Sequence, residues 1–385
     1  MLIAFLVLAL AGGGVYFAVL KVKHKGAKAT TAPVVPQKTA LVAMTLHGDA
    51  SGQAAALTLF GVGEDGSNPV VLFIPVGSLA PIPGAKDIDM VGSALSSGQI
   101  SLQQITIENM LGIDISRTVS IDDVGLGVFI DQLGGIDVNV QEKLYTTRPD
   151  GTRTLIFPQG SRHMSGADAV TYLTYTASES TELDSFVRAQ KVWEGIFAAA
   201  AQNSKLSAAI TSLQTASVAS DDAQWLSGIF KTFASASTAE RTYQVLPGQE
   251  IGAGGANVSY QVDNSRVTDL VRGNFAGSVP YGVTIGARPR IRLLNGNGSP
   301  EIGTRAASLL VPAGLRIELT ANADNFRYAS TKIVIYGDDA RSVATGQEIR
   351  NLLGVGTVEV GTRADTVVDV TVVLGKDFLT KVKRS

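Results

Sequence analysis

Apolar residues follow two different spacings beyond residue 40 of this chain. Short apolar runs bounded by Gly, Asp and Asn are typical of strands, and they predict strands at residues 41–46, 55–62 and 70–74. Helical spacing predicts helices at residues 102–111, 167–176, 186–201 and 204–235, and residues 258–274 read as a strand followed by a short helix. Strands mixed with helices favour layers around a mixed sheet, so we predict an α/β domain over residues 41–277.

A second unit follows a junction rich in Pro and Gly at residues 278–289. The pattern beyond it predicts strands at residues 290–294, 316–320, 333–336 and 367–374, and helices at residues 301–310 and 340–353. The turn Asn295-Gly296-Asn297-Gly298 follows the first of these strands, as expected where the backbone reverses. We therefore predict that residues 290–378 form a second, small α/β domain that folds by itself.

The N-terminal residues have the pattern of a membrane anchor. Residues 2–20 contain no charged side chain, and about 20 apolar residues cross a bilayer as a helix. A basic cluster ends the run, at Lys21, Lys23, His24, Lys25 and Lys28. We predict a membrane anchor at residues 1–28, followed at residues 29–40 by an extended linker with the sequence ATTAPVVPQKTA.

Composition argues against several classes of function. The 385 residues carry 32 basic and 34 acidic side chains, for a net charge of −2, so the chain lacks a nucleic-acid-binding footprint. The absence of cysteine removes disulfides, thiolate catalysis and Cys-based metal sites. The only histidines are His24, His47 and His163, which argues against a multi-histidine metal site, and we predict no metal site.

Residues 119–140 hold the most informative local pattern. The sequence VSIDDVGLGVFIDQLGGIDVNV reads as an alternating strand, a helix, the turn Gly134-Gly135 and another strand. The predicted buried face of the helix consists of Val124, Val128, Phe129 and Leu133. This segment resembles the central part of the LytR-CpsA-Psr (cell envelope-related transcriptional attenuator) family. Residues 290–378, with an N-G-x-G turn and a closing V-x-V-V-L-G-x-D strand, resemble the LytR C-terminal-type domain of that family.

The resemblance implies a single-pass cell-membrane protein with its bulk outside the cell. This orientation conflicts with the basic cluster, because basic residues usually remain on the cytoplasmic side. Two explanations stay open. Either the start codon is misassigned and a longer basic N-terminus is missing, or a signal peptide is cleaved near Ala9-Leu10-Ala11.

The resemblance also implies an envelope phosphotransferase that moves lipid-diphosphate-linked glycopolymers onto peptidoglycan. In such enzymes an apolar tunnel takes the polyprenyl chain, arginines grip the diphosphate, and carboxylates hold a divalent metal. The family's charged positions are occupied here by Gln53, Ala55, Val76, Gly77, Thr174, Thr176 and Ser185. The vestigial catalytic candidates are Glu182, Arg188 and Gln190, and the candidates for lipid or phosphate binding are Asp184 and Arg188.

The remaining charges also have simpler interpretations. Glu182 and Arg188 near a helix start are typical of solvated surface charges or of a local ion pair. Arg148, Arg153 and Arg162 flank a Pro-Asp-Gly turn, where we expect an exposed loop edge, although they could supply substitute charges from another direction.

The missing charges favour a non-catalytic protein. Each hydrogen bond to an ionised group is worth about 1.5 to 3 kcal/mol, so their loss removes on the order of 10 kcal/mol of ligand and transition-state stabilisation. We predict a pseudoenzyme that acts in cell-wall glycopolymer assembly by binding a polyprenyl lipid or as a scaffold. Two alternatives stay open: an active phosphotransferase that attaches polyprenyl-diphosphate-linked glycopolymers to peptidoglycan, and an envelope regulatory protein.

The expected cofactor and partners depend on whether the protein is catalytic. No cofactor is expected, since Mg²⁺ is required only by the transferase. The expected partners are the cell membrane and, as alternatives, polyprenyl lipid, cell-wall glycopolymer or another envelope enzyme, but no nucleic acid. We expect lipid affinity to depend on chain length, at about 0.8 kcal/mol per methylene, and hardly on Arg188.

Overall fold

The computed structural model describes residues 10–11, 14–15, 34–85, 88–96, 100–148, 150–175, 182–202, 205–215, 220–252, 258–362 and 365–382. The chain divides into two compact units, Met1–Val34 and Val35–Ser385.

The described residues of the first unit form two short antiparallel strands, Leu10–Ala11 and Gly14–Val15. The sequence predicted a membrane helix here, and these residues do not show it. The rest of the predicted anchor and most of the linker lie outside the described residues. Within the described part of the chain, no helix is both long and apolar enough to cross a bilayer.

The second unit begins with a strand-rich half followed by a helical half. Its elements up to residue 274 are, in chain order, β1 (Gln37–Thr45), β2 (Ala56–Gly63), β3 (Val70–Ile74), β4 (Leu79–Pro81), β5 (Ile88–Met90), α1 (Ile100–Leu111), β6 (Arg117–Asp122), α2 (Asp123–Leu133), β7 (Ile136–Val140), β8 (Leu144–Thr147), β9 (Arg153–Phe157), β10 (Gly160–Met164), α3 (Gly166–Thr174), α4 (Glu182–Gln202), α5 (Leu206–Thr215), α6 (Ser220–Ser235), β11 (Thr242–Val245), β12 (Gly248–Ile251), β13 (Ser259–Val262) and α7 (Asn264–Asn274).

The main sheet has the strand order β11-β3-β2-β1-β6. Strand β1 is antiparallel to β2 and parallel to β6, while β3 is antiparallel to β2 and parallel to β11. The first strand starts at Gln37, inside the segment predicted as a linker. Gln37 Nε2 donates to the Asn274 carbonyl at 2.8 Å, and Thr39 and Ala40 are fully buried, so these residues belong to the folded unit.

Both faces of the main sheet are buried. Since neighbouring residues of a strand point to opposite faces, Val42 and Met44 join a core with helices α2 to α6, whereas Leu41 and Ala43 join a core with α1 and α7. Strands buried on both faces read as continuous apolar runs, which is what β1 shows. The predicted layered α/β arrangement around a mixed sheet is confirmed.

Phe60 of strand β2 lies at the centre of the helix-covered face. Its ring makes edge contacts with Trp193, Phe197, Phe230 and Phe233, with ring centroids 4.8 to 6.1 Å apart. Edge-to-face pairs add to the stabilisation from buried area. This cluster attaches helices α4 and α6 to the sheet.

Helix α2 buries a different face from the predicted one. Phe129 and Leu133 are buried, but Val124 and Val128 are 54% and 42% exposed, so the prediction was wrong for both valines. The backbone of Gly127 touches Gly166 so closely that a side chain at Gly166 would collide with it. This contact turns the glycine face of α2 towards α3 and leaves both valines outside.

The chain continues into a second, smaller sheet. Its elements are β14 (Arg290–Asn295), α8 (Ile302–Leu310), β15 (Arg316–Asn322), β16 (Lys332–Ile335), α9 (Ala340–Leu353), β17 (Thr357–Val360), β18 (Val370–Leu374) and α10 (Lys376–Val382). The strand order is β15-β14-β18-β16-β17, with every neighbouring pair parallel except β16 and β18.

The second sheet packs against helix α1, which belongs to the region before residue 274. The Asn109 side chain donates from Nδ2 to the Ile317 carbonyl at 2.9 Å, and its Oδ1 accepts from the Ile317 amide at 2.8 Å. The amide group therefore pairs with edge strand β15 as a neighbouring strand would. Independent folding of residues 290–378 stays a prediction.

The turn after α2 requires glycine at Gly135. Its φ is +82°, and a Cβ there would lie 2.6 Å from His163 Nε2 and 2.8 Å from the Met164 carbonyl oxygen. We predict that Gly135→Val lowers the free energy of unfolding by at least about 2 kcal/mol, because a β-branched residue meets both a forbidden φ and a backbone clash. Urea unfolding followed by circular dichroism measures this.

Gly228→Val is the matched control for that variant. Gly228 lies in helix α6, is exposed, has ordinary φ, and a Cβ there meets nothing within 4 Å. Valine and glycine differ little in helix propensity. Equal effects of the two substitutions would contradict the role assigned to Gly135.

Candidate functional site

A cavity of about 430 Å³ opens at one end of the main sheet. It lies between strands β1 to β3 and helices α3 and α4. Its described lining is Val42, Met44, Leu46, Gln53, Ala54, Ala55, Ala56, Leu57, Thr58, Phe73, Ile74, Val76, Gly77, Met90, Gly92, Ile121, Leu126, Leu173, Thr174, Tyr175, Ser185, Phe186, Arg188, Ala189, Trp193 and Val258.

The three segments that the sequence predicted for the site meet at this cavity. Gln53 and Ala55 come from the start of β2, Val76 and Gly77 follow β3, and Thr174 and Ser185 lie on α3 and α4. Backbone hydrogen bonds join the first two segments through Gly92. Its carbonyl accepts from Ala54 N at 3.0 Å, and its amide donates to the Val76 carbonyl at 2.9 Å. The fold therefore keeps the positions together although their charges are absent.

The walls of the cavity are mainly apolar. Met44, Leu57 and Phe73 come from the sheet, and Phe186 and Trp193 come from α4. Trp193 was predicted to be core, and it is only 5% exposed, yet it also borders the cavity. Such walls bury an apolar chain favourably, by about 25 cal/mol per Å² removed from water.

Arg188 carries the only charge among the described lining residues. It is 5% exposed. Its Nη2 donates to the Tyr175 carbonyl at 2.6 Å, and the guanidinium lies 5.3 Å from the centre of the Tyr175 ring. Its buried Nε has no hydrogen-bond partner in the described part of the chain.

Burial lowers the pKa of Arg188 below its ordinary value, although Tyr172 and Asp184 oppose the shift. The guanidinium still remains charged at neutral pH, since its ordinary pKa is so high. The interpretation of Arg188 as a solvated surface charge was wrong, because its neighbours Phe186 and Ala189 turn this face of α4 inwards. A buried cation with an unsatisfied donor is a natural contact for an anionic head group.

Two of the other candidate residues, Asp184 and Gln190, lie outside the described lining of the cavity. Asp184 is exposed and absent from the described lining. Gln190 Nε2 donates to Glu194 Oε1 at 2.8 Å, away from the lining. Glu182 begins α4, but its side chain lies outside the described residues, as does Thr176. The Thr174 hydroxyl donates to the Val170 carbonyl within α3 at 2.8 Å.

The substitute arginines lie on the hairpin ribbons. Arg148, Arg153 and Arg162 are exposed, and Arg153 stacks over the Tyr145 ring at 4.5 Å. None of them lines the described part of the cavity.

The described lining does not fit a Mg²⁺ site. Magnesium is held mainly by carboxylates and water, and the described lining contains no carboxylate. Elsewhere in the described ranges, no group of three His, Cys, Asp or Glu side chains is placed to hold a metal ion. A requirement for Mg²⁺ remains tied to the transferase alternative.

Comparison with known proteins identifies the scaffold. Residues 49–272, more than half of the chain, match the LytR_cpsA_psr family. The chain belongs to this family. Residues 288–378 match the domain described as LytR cell envelope-related transcriptional attenuator. Both resemblances inferred from the sequence are confirmed.

Similar proteins include two curated relatives. The probable cell wall biosynthesis protein LcpB of Corynebacterium glutamicum is 27% identical over 132 residues, which cover 34% of this chain and 31% of LcpB. The polyisoprenyl-teichoic acid–peptidoglycan teichoic acid transferase TagU of Bacillus cereus is 21% identical over 137 residues, which cover 36% of this chain and 43% of TagU. The matches thus span less than half of either relative.

Solved structures show the same fold. The crystal structure of B. subtilis TagV has a TM-score of 0.52 at 16% identity, over 63% of this chain and 97% of TagV. A transcriptional regulator from Enterococcus faecalis has a TM-score of 0.51 at 16% identity, over 63% of this chain and 87% of that one. At these identities the likeness concerns the fold alone.

Arg188 should lower the stability of the fold in the absence of a ligand. We predict that Arg188→Met raises the free energy of unfolding at pH 7 by about 1 kcal/mol, because methionine fills similar space and carries no charge to desolvate. This figure is the net gain after subtraction of about 1 kcal/mol for the lost hydrogen bond to Tyr175. Chemical denaturation of both proteins measures the difference.

Arg305→Met serves as the control, since Arg305 is exposed on helix α8. It should change stability by less than about 0.5 kcal/mol. A clear loss of stability in Arg188→Met would show that Arg188 is a structural residue and not one kept for a ligand.

Proposed function

We propose that this chain is a non-catalytic LytR_cpsA_psr-family protein that holds a polyprenyl lipid during cell-wall glycopolymer assembly. The observation that carries the proposal is the cavity itself. Its apolar walls are retained, while its described lining has a single cation and no carboxylate. A lipid tail has a place to bind, and the described lining lacks the charges needed to cleave a diphosphate.

The relatives support the ligand class. TagU is named as a transferase that acts on polyisoprenyl-linked teichoic acid, and LcpB as a probable cell wall biosynthesis protein. From these relatives we infer for this chain only a polyisoprenyl lipid as the ligand and a role in cell-wall glycopolymer assembly. The apolar walls formed by Met44, Leu57, Phe73 and Trp193 suit such a chain, since each buried methylene contributes about 0.8 kcal/mol.

Arg188 is the only cation in the described lining, so it limits the binding free energy that a phosphate head group can gain there. Arg188 lies in the cavity wall with its Nε unsatisfied, so one phosphate oxygen could replace the missing partner. Charge-assisted hydrogen bonds contribute about 1.5 to 3 kcal/mol. This revises the expectation from sequence that affinity hardly depends on Arg188. Leaving-group stabilisation in phosphoryl transfer requires several such charges and a metal ion, which the described lining does not supply.

The transferase alternative has one supporting observation, the name of TagU. It would need carboxylates to reach the cavity from Glu179 or Glu182, whose side chains lie outside the described residues, and arginines from elsewhere in the chain. Scaffolding of another envelope enzyme remains compatible with lipid binding. We also propose that residues 1–28 anchor the protein once in the cell membrane with its bulk outside.

Binding to lipids of different chain length and head group tests this proposal. We predict that full-length protein in detergent binds polyprenyl monophosphates with an affinity that increases with chain length and is unchanged by Mg²⁺ removal with EDTA. Arg188→Met should weaken phosphate-lipid binding about tenfold, equal to about 1.4 kcal/mol, and leave binding of the uncharged polyprenol unchanged. Tryptophan fluorescence quenching is a suitable readout, because Trp193 borders the cavity.

A cavity-blocking variant separates specific from non-specific binding. Val76→Trp places a large side chain in the lining, whereas Val343→Trp places it on the exposed face of α9. Only the first should abolish binding. Equal lipid binding by both variants would exclude the cavity as the site.

A further inference from the structure

A second cleft, of about 280 Å³, lies between helices α1 and α7 and the second sheet. It is lined by the end of α1, residues 264–271 of α7, the junction residues 283–288 and the first residues of β14 and β15. Three arginines line it, Arg288, Arg290 and Arg316, and its described lining has no carboxylate. We call this the arginine cleft. It shares no described lining residue with the apolar cavity.

Two of the three guanidiniums are fixed by carboxylates. Arg290 binds Asp369 in a forked pair, with Nη2 to Oδ1 at 3.0 Å and Nε to Oδ2 at 3.3 Å. Arg316 Nε lies 2.9 Å from Glu318 Oε2. Each of these arginines is therefore held in position beside a carboxylate while it still lines the cleft.

Arg288 has no such carboxylate. Among the described residues its only hydrogen bond runs from Nη2 to the Asn109 carbonyl at 2.7 Å, and it takes part in no ion pair. The guanidinium lies against Gly112, where a Cβ would come within 2.8 Å of both Cζ and Nε. Glycine at that position therefore makes room for the cation.

The surroundings of Arg288 disfavour its charge. Burial, and then the neighbouring charge of Arg316, lower the pKa of Arg288 to about 10, while Glu318 opposes the shift. A partly buried cation is normally paired. The neighbouring charge of Arg316 has the same sign as that of Arg288. The cleft therefore has an excess of positive charge, and the Arg288 guanidinium has N–H donors that bond to no described residue.

We propose that the arginine cleft binds a phosphate group. Arginine forks match phosphate oxygens, and several guanidiniums around one space suit a tetrahedral anion better than a planar carboxylate. The exposed Ser265 hydroxyl, which makes no hydrogen bond within the described part of the chain, lies in the lining as a further donor. Asp263 caps the N-terminus of α7, and its Oδ1 accepts from the amides of Ser265 and Arg266.

The phosphate could come from free phosphate or from a phosphodiester polymer. Titration calorimetry of the full-length protein at low ionic strength, with inorganic phosphate in one arm and a short poly(glycerol phosphate) in the other, distinguishes the sources. Tighter binding of either probe supports the proposal and identifies the source. Failure of both probes to bind the unaltered protein would overturn it.

Variants of the cleft locate the binding. Arg288→Gln should weaken binding at least tenfold, and Arg288→Lys, which keeps the charge and loses the fork, should weaken it less. Arg350→Gln, which removes an exposed arginine of α9, should have no effect. If Arg288→Gln does not fold, Arg316→Gln must show the same tenfold loss. Unchanged affinity in the folded cleft variant would refute the site. Lipid binding in the apolar cavity is measured in a separate experiment, so its failure would leave the result of the phosphate titration unchanged.

Discussion

Burial of the main sheet on both faces is the constraint on which the rest of the structure depends. Strands β1 to β3 form the centre of that sheet, so most of their residues face a core on one side or the other. This leaves little freedom in register, because a one-residue slip would exchange the two faces. The strand ends at Gln53, Val76 and Gly92 are therefore held at one edge, and the cavity is where those ends meet the start of α4.

The retention of the cavity without its charges follows from the same constraint. Apolar residues such as Leu57 and Phe73 face the core and the cavity together, so the packing that stabilises the sheet also holds the walls of the cavity in place. Polar residues at the mouth have no such role. Arg188 is the exception, since a buried and incompletely bonded guanidinium reduces stability, which is the reason we propose a ligand for it.

The hydrophobic pattern predicted the fold well because spacing reports which residues are buried. Helix α9 and strand β3 have the predicted boundaries, and the convergence of the three site segments on one cavity is as expected from the resemblance. The errors have a common cause in tertiary contacts. Val124 and Val128 are exposed because a glycine contact rotates α2. Gln37 belongs to β1 because its side chain bonds to the Asn274 carbonyl and the residues that follow it in the strand are buried.

The arginines show what a sequence pattern does not contain. The residue type of Arg188 and Arg288 gives no sign of burial, and only their packing shows that both are partly or wholly withdrawn from water. A signal existed in the neighbouring residues. Phe186 and Ala189 flank Arg188 on a helix whose apolar face they define, and Gly112 at the end of α1 leaves the space that Arg288 fills.

The most direct test of the account is turnover by the full-length protein. It should be incubated with a polyprenyl-diphosphate sugar and peptidoglycan fragments, with and without Mg²⁺, while lipid binding and release of polyprenyl phosphate are measured together. The account predicts saturable binding with no release above the rate without protein. Mg²⁺-dependent release that is abolished by Arg188→Met would contradict it and establish the transferase.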